Sequence, residues 1–229
     1  MKAGRRHPIE HVFYFARLCQ LRRPVCHNGE VTDDHQISVC TLPVQDYVRR
    51  IDQLVDIHLR AMSYPPETFH QRRQLWLDNS RKPGFSCVVA LSHPTRSAPD
   101  PGHSGHRAVG VAYGFPGDRS SWWYREVHRG LVSTGLSNDA ADALLADYDE
   151  ISEVHVHPDH QGQGIGRRLL STLLPHLHRP VSLLSTPEVD GEANAAWSLY
   201  RATGFRDVLR GFRFGSDPRP FGILALTRE

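Results

Sequence analysis

A run of three glycines, spaced two residues apart, constrains this chain more than any other feature of its sequence. Gly162, Gly164 and Gly166 follow a short β-like segment that ends before Pro158, and they precede a basic, leucine-rich helix. Glycine accepts positive φ angles and lets a ligand approach the backbone, and the first amides of a helix lack partners within that helix. Because such amides attract anions, the stretch predicts a site for a phosphate or pyrophosphate group.

Two common nucleotide-binding patterns do not fit this loop. A dinucleotide fold requires G-x-G-x-x-G, but Arg167 stands where the third glycine should be. A nucleoside triphosphate loop requires a Gly-Lys pair, which the chain does not contain. The loop reads instead Gln161-x-x-Gly164-x-Gly166.

This loop resembles the acyl-CoA signature of the GNAT superfamily of N-acetyltransferases, Q/R-x-x-G-x-G/A. A second block runs from Asn194 to Phe205 and contains Tyr200. It is similar to the later N-x-x-A-x-x-x-Y-x-x-x-G-F motif of that family, although Trp197 replaces the usual small residue. The resemblance covers about residues 36–229. It implies an α/β (α+β mixed) fold with a single central mixed, mostly antiparallel sheet flanked by helices.

The hydrophobic pattern agrees with a mixed α/β domain. Apolar residues recur every three or four positions from residue 44 to 62, which predicts a helix with one buried face. Further helices are predicted at 67–77, 139–145, 164–174 and 193–203. Strands are predicted at 36–42, 85–91, 108–115, 150–156, 181–184, 209–214 and 221–226. Residues 1–36 lack a sustained period and are interpreted as an N-terminal arm that need not be ordered, while the resemblance implies that residues 37–229 form a GNAT acetyltransferase domain.

Composition narrows the class of protein. A formal net charge of +2 gives no reason to expect a nucleic-acid partner. No apolar run approaches the ~20 residues of a membrane span, so we expect a soluble cytoplasmic protein without a membrane partner. A homodimer is left open.

No metal centre is expected from the sequence. The four cysteines show neither a C-x-x-C pair nor zinc-ligand spacing. His155, His157 and His160 lie close together in the chain but lack a fourth ligand in register, and polar strand and loop positions explain them better.

The resemblance assigns the donor site residue by residue. In the family, the strand before the glycine loop offers backbone hydrogen bonds to the pantetheine arm of the cofactor, and these positions are Val154, His155 and Val156 here. The pyrophosphate is bound by the loop, here Gln161, Gly162, Gln163, Gly164, Ile165, Gly166 and Arg167. Asn194 is expected either to hydrogen-bond the pantetheine arm or to cap a helix. The implied co-substrate is acetyl-CoA, with a longer acyl-CoA left open.

Three residues are candidates for the chemistry. Tyr200 matches the family tyrosine near the thioester sulfur, where an O–H donor stabilises a thiolate of pKa ~8.5, unless it is a core aromatic. The attacking amine must lose a proton, and Glu150 is the first candidate base and Glu153 the second. In a regular strand Glu150 shares a face with Val154 and Val156, whereas Glu153 lies on the opposite face. A β-bulge would change that parity.

The resemblance thus implies an N-acetyltransferase that moves an acetyl group from acetyl-CoA to a primary amine by direct attack in a ternary complex. The acceptor, a small molecule or a peptide, is not identified. We expect the first helices and the segment 116–149 to shape its pocket, with Trp122, Trp123 and Tyr124 either as a wall of that pocket or as a local core. The alternative is a non-catalytic acyl-CoA-binding sensor or assembly module.

Overall fold

The strands that the computed structural model describes, over residues 34–215 and 217–228, form one mixed sheet. Its seven strands lie in the order β1-β2-β3-β4-β5-β7-β6, and every pair of neighbours is antiparallel except β4 and β5. The strands are β1 (His35–Thr41), β2 (Ser86–Pro94), β3 (Arg107–Pro116), β4 (Tyr148–Val156), β5 (Val181–Pro187), β6 (Arg206–Phe212) and β7 (Phe221–Thr227). The predicted fold class is therefore confirmed.

Six α-helices cover the two faces of this sheet in the described part of the chain. They are α1 (Val44–Met62), α2 (Phe69–Asn79), α3 (Trp122–Ser133), α4 (Asn138–Leu144), α5 (Ile165–Leu173) and α6 (Ala195–Thr203). Helices α1 and α2 pack on one face, and α5 and α6 pack on the other. None of these helices combines the length and the apolar character that crossing a bilayer would need.

Several boundaries differ from the predictions by one to three residues. Strand β1 begins at His35, one residue before the predicted start at Gln36, so both residues belong to the sheet although the predicted domain boundary assigned them to the arm; residues 1–33 of that arm lie outside the described residues. Strand β6 begins at Arg206 rather than at residue 209, directly after the stop of α6. That stop is compact because Gly204 has φ 101° and the N–H of Phe205 returns to the carbonyl of Tyr200 at 3.0 Å.

Helix α3 was not predicted. Its N-cap is Ser121, whose hydroxyl accepts the N–H of Tyr124 at 3.0 Å. Tyr124, Val127 and Leu131 recur at helical spacing and are buried against β6 and β7. The aromatic run at its start obscured this period, since three adjacent aromatic residues match no single helix face.

One irregularity in the sheet decides how the two candidate bases are arranged. Tyr113 pairs with Glu153 and Gly114 with Ile151, so Ser152 is an extra residue in β4. Glu150 faces Phe115 across the strands, and Phe115 and Tyr113 both belong to the core beneath α1 and α2. Glu150 and Glu153 therefore share a face, and the parity predicted for a regular strand is wrong. The bulge is the physical reason.

The large residue in the second motif is accommodated by a glycine. Trp197 is fully buried, and a Cβ atom added at Gly222 of β7 would lie 2.6 Å from its ring. The indole N–H donates to the carbonyl of Pro187 at 2.9 Å, so its polar atom is satisfied. The departure from the family pattern at residue 197 thus leaves the start of α6 intact.

Candidate active site

A cleft of about 710 Å³ opens where β4 and β5 separate. The two strands pair in parallel only from Tyr148 to Glu150, and β4 then continues without β5 beside it. The predicted site residues that line the cleft are Glu153, Val154, His155, Val156, Gln161, Gly162, Gly164, Ile165, Gly166, Arg167, Asn194 and Tyr200. Glu150 and Gln163 do not line it.

The glycine loop forms one end of the cleft. Gly162 and Gly164 have φ angles of +76° and +72°, and no atom lies within 4 Å of the Cβ position of either residue. Both glycines are needed for the backbone conformation rather than for space, because other L-residues seldom adopt such angles. Gly164 is the N-cap of α5, so the first amides of that helix point out of the loop.

Three side chains of the loop and of the start of α5 have different roles. The amide of Gln161 donates to the carbonyl of Val156 at 3.0 Å and ties the loop to the end of β4. Arg167 is exposed and lines the cleft. Arg168 turns away and donates to the carbonyl of Ile37 at 2.6 Å, so only Arg167 is placed to meet an anion.

The free edge of β4 borders the cleft. The N–H of His157 donates to the carbonyl of Val109 in β3 at 2.8 Å. Because backbone groups alternate in direction along an antiparallel ladder, those of His155 also point to β3, and those of Val154 and Val156 point to the open side. His155 therefore reaches the cleft with its side chain, and Val154 and Val156 with their backbone.

Asn194 and Tyr200 line the side of the cleft formed by α6. The Oδ1 atom of Asn194 accepts the N–H of Trp197 at 2.9 Å, so this residue is the N-cap of α6. Tyr200 is 8% exposed, and burial, aided by the charge of Glu153, raises the pKa of its hydroxyl. The phenol therefore stays protonated and can donate a hydrogen bond.

The other end of the cleft contains a cluster of two histidines and one glutamate, which we call the His–Glu–His cluster. It consists of His58 from α1 and of Glu153 and His155 from β4. Nε2 of His155 lies 2.9 Å from Nδ1 of His58 and 2.5 Å from Oε2 of Glu153. Nδ1 of His58 is 3.5 Å from the same oxygen. All three side chains are largely buried but line the cleft.

The acidities of the cluster follow from burial and from its contacts. Burial alone raises the pKa of Glu153, but the imidazoles of His58 and His155 outweigh it and hold that pKa below the ordinary value. Burial lowers the pKa of His58 to about 4, although Glu153 opposes this shift. We therefore describe Glu153 as ionised and His58 as neutral at pH 7. An ionised carboxylate only accepts, so Nε2 of His155 carries the proton between them.

The pKa of Glu150 suits a general base, but the residue does not line the cleft. Burial raises its pKa to about 7, with Glu153 adding to the shift and Lys82 opposing it. The ammonium of Lys82 lies 3.7 Å from the ring centre of Phe115, the residue that Glu150 faces. Glu150 thus sits beside the cleft, in the core under α1 and α2.

The cluster end also carries residues that sequence patterns did not single out. Tyr64 follows α1, Arg72 lies in α2, and Arg219 lies between β6 and β7; all three line the cleft. The guanidinium of Arg72 lies 5.0 Å from the ring centre of Tyr64, and Arg219 is paired with the buried Asp217 at 2.8 Å. No local motif marks these positions, because they meet only in the folded chain.

The aromatic run of α3 does not line the cleft. Tyr124 is buried in a separate core, Trp122 stacks on Phe214, and Trp123 packs near Tyr148. Of the two readings left open, the local core is observed for Trp123 and Tyr124, whereas Trp122 is exposed on the surface.

Known proteins that are similar to this chain identify its family. The sequence profile described as an acetyltransferase (GNAT) domain matches residues 118–207. Over 201 residues the chain is 37% identical to the GCN5-like protein acetyltransferase Rv2170 of Mycobacterium tuberculosis, and the match covers 83% of this chain and 98% of that protein. This chain belongs to the GNAT superfamily. The predicted family and enzyme class, an N-acetyltransferase, are confirmed.

Solved structures share the fold of this GNAT protein. A GNAT-family protein from Desulfovibrio desulfuricans superposes with a TM-score of 0.53 at 15% identity, covering 84% of this chain and 99% of that one. PH1933 from Pyrococcus horikoshii gives 0.53 at 20% identity, covering 85% and 99%. At these identities the likeness concerns the architecture alone.

Proposed function

We propose that this protein transfers an acetyl group from acetyl-CoA to a primary amine by direct attack in a ternary complex. The observation that carries the proposal is one continuous cleft that joins the glycine loop, Tyr200 and Glu153. An anion site at one end and a proton donor and acceptor at the other are what transfer from a phosphorylated thioester requires.

The donor half fits a CoA thioester. The positive φ angles of Gly162 and Gly164 leave the amides that follow open to a pyrophosphate, and Arg167 adds a positive charge at the same end. The open-edge backbone groups of Val154 and Val156 suit the amides of a pantetheine arm. Asn194 holds the start of α6 in place beside that arm. Acetyl-CoA supplies the activated acetyl thioester.

Proton transfer is assigned to the end of the cleft that contains the His–Glu–His cluster, which is also the proposed acceptor end. The amine nitrogen attacks the thioester carbonyl carbon, the carbon–sulfur bond breaks, and the thiolate leaves with the bonding electron pair. Glu153, hydrogen-bonded by His155, accepts the proton that the amine loses, directly or through a water molecule. The hydroxyl of Tyr200 donates a hydrogen bond to the thiolate. Glu153 takes precedence over Glu150 because position comes before acidity in choosing a base.

The acceptor is proposed to be an amine of a peptide or protein. The M. tuberculosis relative that matches most of this chain is named a protein acetyltransferase, and a second relative, matched over 59 residues, is named an N-alpha-acetyltransferase. The cleft also extends beyond the His–Glu–His cluster to Tyr64 and Arg219, which lie in connecting segments of the chain and leave room for an acceptor.

An assay of free CoA release tests the proposal. The purified protein is incubated with acetyl-CoA and a panel of peptides with free N-termini, lysine peptides, polyamines and amino acids, and products are identified by mass spectrometry. We expect stoichiometric release of CoA and one acetyl group added to at least one amine. Tight binding of acetyl-CoA without turnover on any amine would favour the non-catalytic alternative and overturn the proposal.

A further inference from the structure

We propose that the His–Glu–His cluster also binds a divalent transition-metal cation at the acceptor end of the cleft. Two imidazole nitrogens and one carboxylate oxygen converge there from two different elements, α1 and β4. His58 lies 97 positions before His155 in the chain, and folding brings it next to β4, the strand that borders the proposed active site. Two histidines and one carboxylate form a known ligand set for such ions.

The three ligand atoms face one another. Nε2 of His155 lies 2.9 Å from Nδ1 of His58 and 2.5 Å from Oε2 of Glu153, and the latter two atoms are 3.5 Å apart. A single N–H between them has to be shared by two acceptors, whereas a cation at the centre attracts all three atoms.

The three atoms are close to the spacing that a small cation requires, but they are not yet at it. A metal ion with bonds of ~2.1 Å holds neighbouring ligand atoms roughly 3.0 to 3.4 Å apart. The observed separations are 2.5, 2.9 and 3.5 Å, so binding requires the side chains of Glu153 and His155 to move apart by about half an ångström. Imidazole nitrogen favours zinc, cobalt, nickel and iron over magnesium and calcium, which prefer sites made of oxygen atoms alone.

The cluster is both protected and reachable. The side chains of His58, Glu153 and His155 are 3%, 14% and 10% exposed, and all three line the cleft. An ion can therefore arrive through the cleft and keep a free coordination position on that side. The positive charge of Arg72 acts on His58 and opposes a cation, so it tunes the affinity downward.

Metal binding should also affect catalysis, and this expectation rests on the proposed function. A metal ion bound to Glu153 occupies the oxygen that would accept the amine proton, so the ion and the acceptor proton compete. Metal binding should therefore inhibit acetyl transfer, and a chelator should restore it.

Titration of the full-length protein tests the site. Protein freed of metal with a chelator is titrated with Co²⁺, whose visible spectrum reports imidazole ligation, and Zn²⁺ is then used to displace it. The wild-type protein should bind one equivalent of Co²⁺ more than His58→Gln and His155→Gln do, or should bind that equivalent about 100-fold more tightly. The control is His160→Gln, which removes a histidine that lines the cleft outside the cluster. Thermal melting establishes that each variant is folded.

The outcomes separate this inference from the proposed function. Equal binding by wild type and by either folded cluster variant overturns the metal site, and turnover then remains to be explained by the cluster as a base. Loss of one equivalent in the cluster variants, but not in His160→Gln, supports the site. Binding at the cluster with no change in turnover supports the metal site and overturns Glu153 as the base.

Discussion

The two ends of the cleft are built by different means. The proposed donor end consists mainly of backbone groups from one continuous stretch, from Val154 through Gly164 to the first turn of α5. The proposed acceptor end consists of side chains from α1, α2, β4 and the connection between β6 and β7. Backbone recognition depends on φ angles and element boundaries, which glycines reveal in a sequence. Side-chain recognition depends on which elements lie next to each other, which the tertiary structure decides.

The largest expected effect comes from the acceptor end. Glu153→Gln removes the proposed base and should lower kcat/KM for the amine about 100- to 1000-fold at pH 7. Residual activity should rise with pH, since the fraction of neutral amine increases as the solution becomes more alkaline. A pH profile of acetyl transfer measures both effects.

Glu150→Gln is the matched control for that substitution. It changes a glutamate on the same face of the same strand, three residues away, which does not line the cleft. We expect kcat/KM to change by less than about fivefold. A larger loss in Glu150→Gln than in Glu153→Gln would reverse the assignment and make Glu150, with its pKa of about 7, the base.

The next effect lies where the two ends meet. Tyr200→Phe removes the hydroxyl that is proposed to stabilise the leaving thiolate and should lower kcat roughly 10- to 100-fold with the KM for acetyl-CoA nearly unchanged. Tyr124→Phe is the control, because that hydroxyl donates to Asp142 at 2.6 Å outside the cleft. Steady-state kinetics with varied acetyl-CoA measure kcat and KM for both variants. An unchanged kcat in Tyr200→Phe would rule out a role of this hydroxyl in stabilising the thiolate.

A smaller effect should be confined to the donor end. Gly164→Ala puts a side chain on a residue with φ +72°, and it should raise the KM for acetyl-CoA about tenfold by turning the loop amides away from the ligand. Gly135→Ala is matched, since Gly135 has φ +100° and equally open surroundings but does not line the cleft. Each variant should lose about 1 kcal/mol of unfolding free energy. Equal changes in KM would contradict a special role for the loop.

The last effect concerns stability rather than activity. Glu150 has its pKa raised from 4.5 to about 7, so the folded protein binds this proton more tightly than the unfolded chain does. The stabilisation is fully present below the unfolded pKa and is lost as the pH rises from about 4.5 to about 7. Between pH 4.5 and 8 the unfolding free energy of wild type should therefore fall by up to roughly 3 kcal/mol relative to Glu150→Gln. Urea denaturation across this range measures the difference, and parallel curves for the two proteins would show that Glu150 is not perturbed.

Most elements of the fold could be predicted from periodicity. The helix over Val44–Met62 has the predicted bounds, because its apolar face repeats every three or four residues and Pro65 and Pro66 follow it. Helix α3 was missed because its aromatic run hides the same repeat. The bulge at Ser152 could not be placed, since a single extra residue leaves no mark on local composition.

The donor end of the site is the part that the sequence by itself determined. The spacing of Gln161, Gly164 and Gly166 and the later block ending at Phe205 identify the family, and local backbone conformation follows from those residues. Only the tertiary structure brings His58 to within 2.9 Å of His155 and turns Glu150 and Glu153 to one face. The physical reason is range: φ angles are set by neighbouring residues, whereas the contacts of a side chain are set by the packing of distant elements.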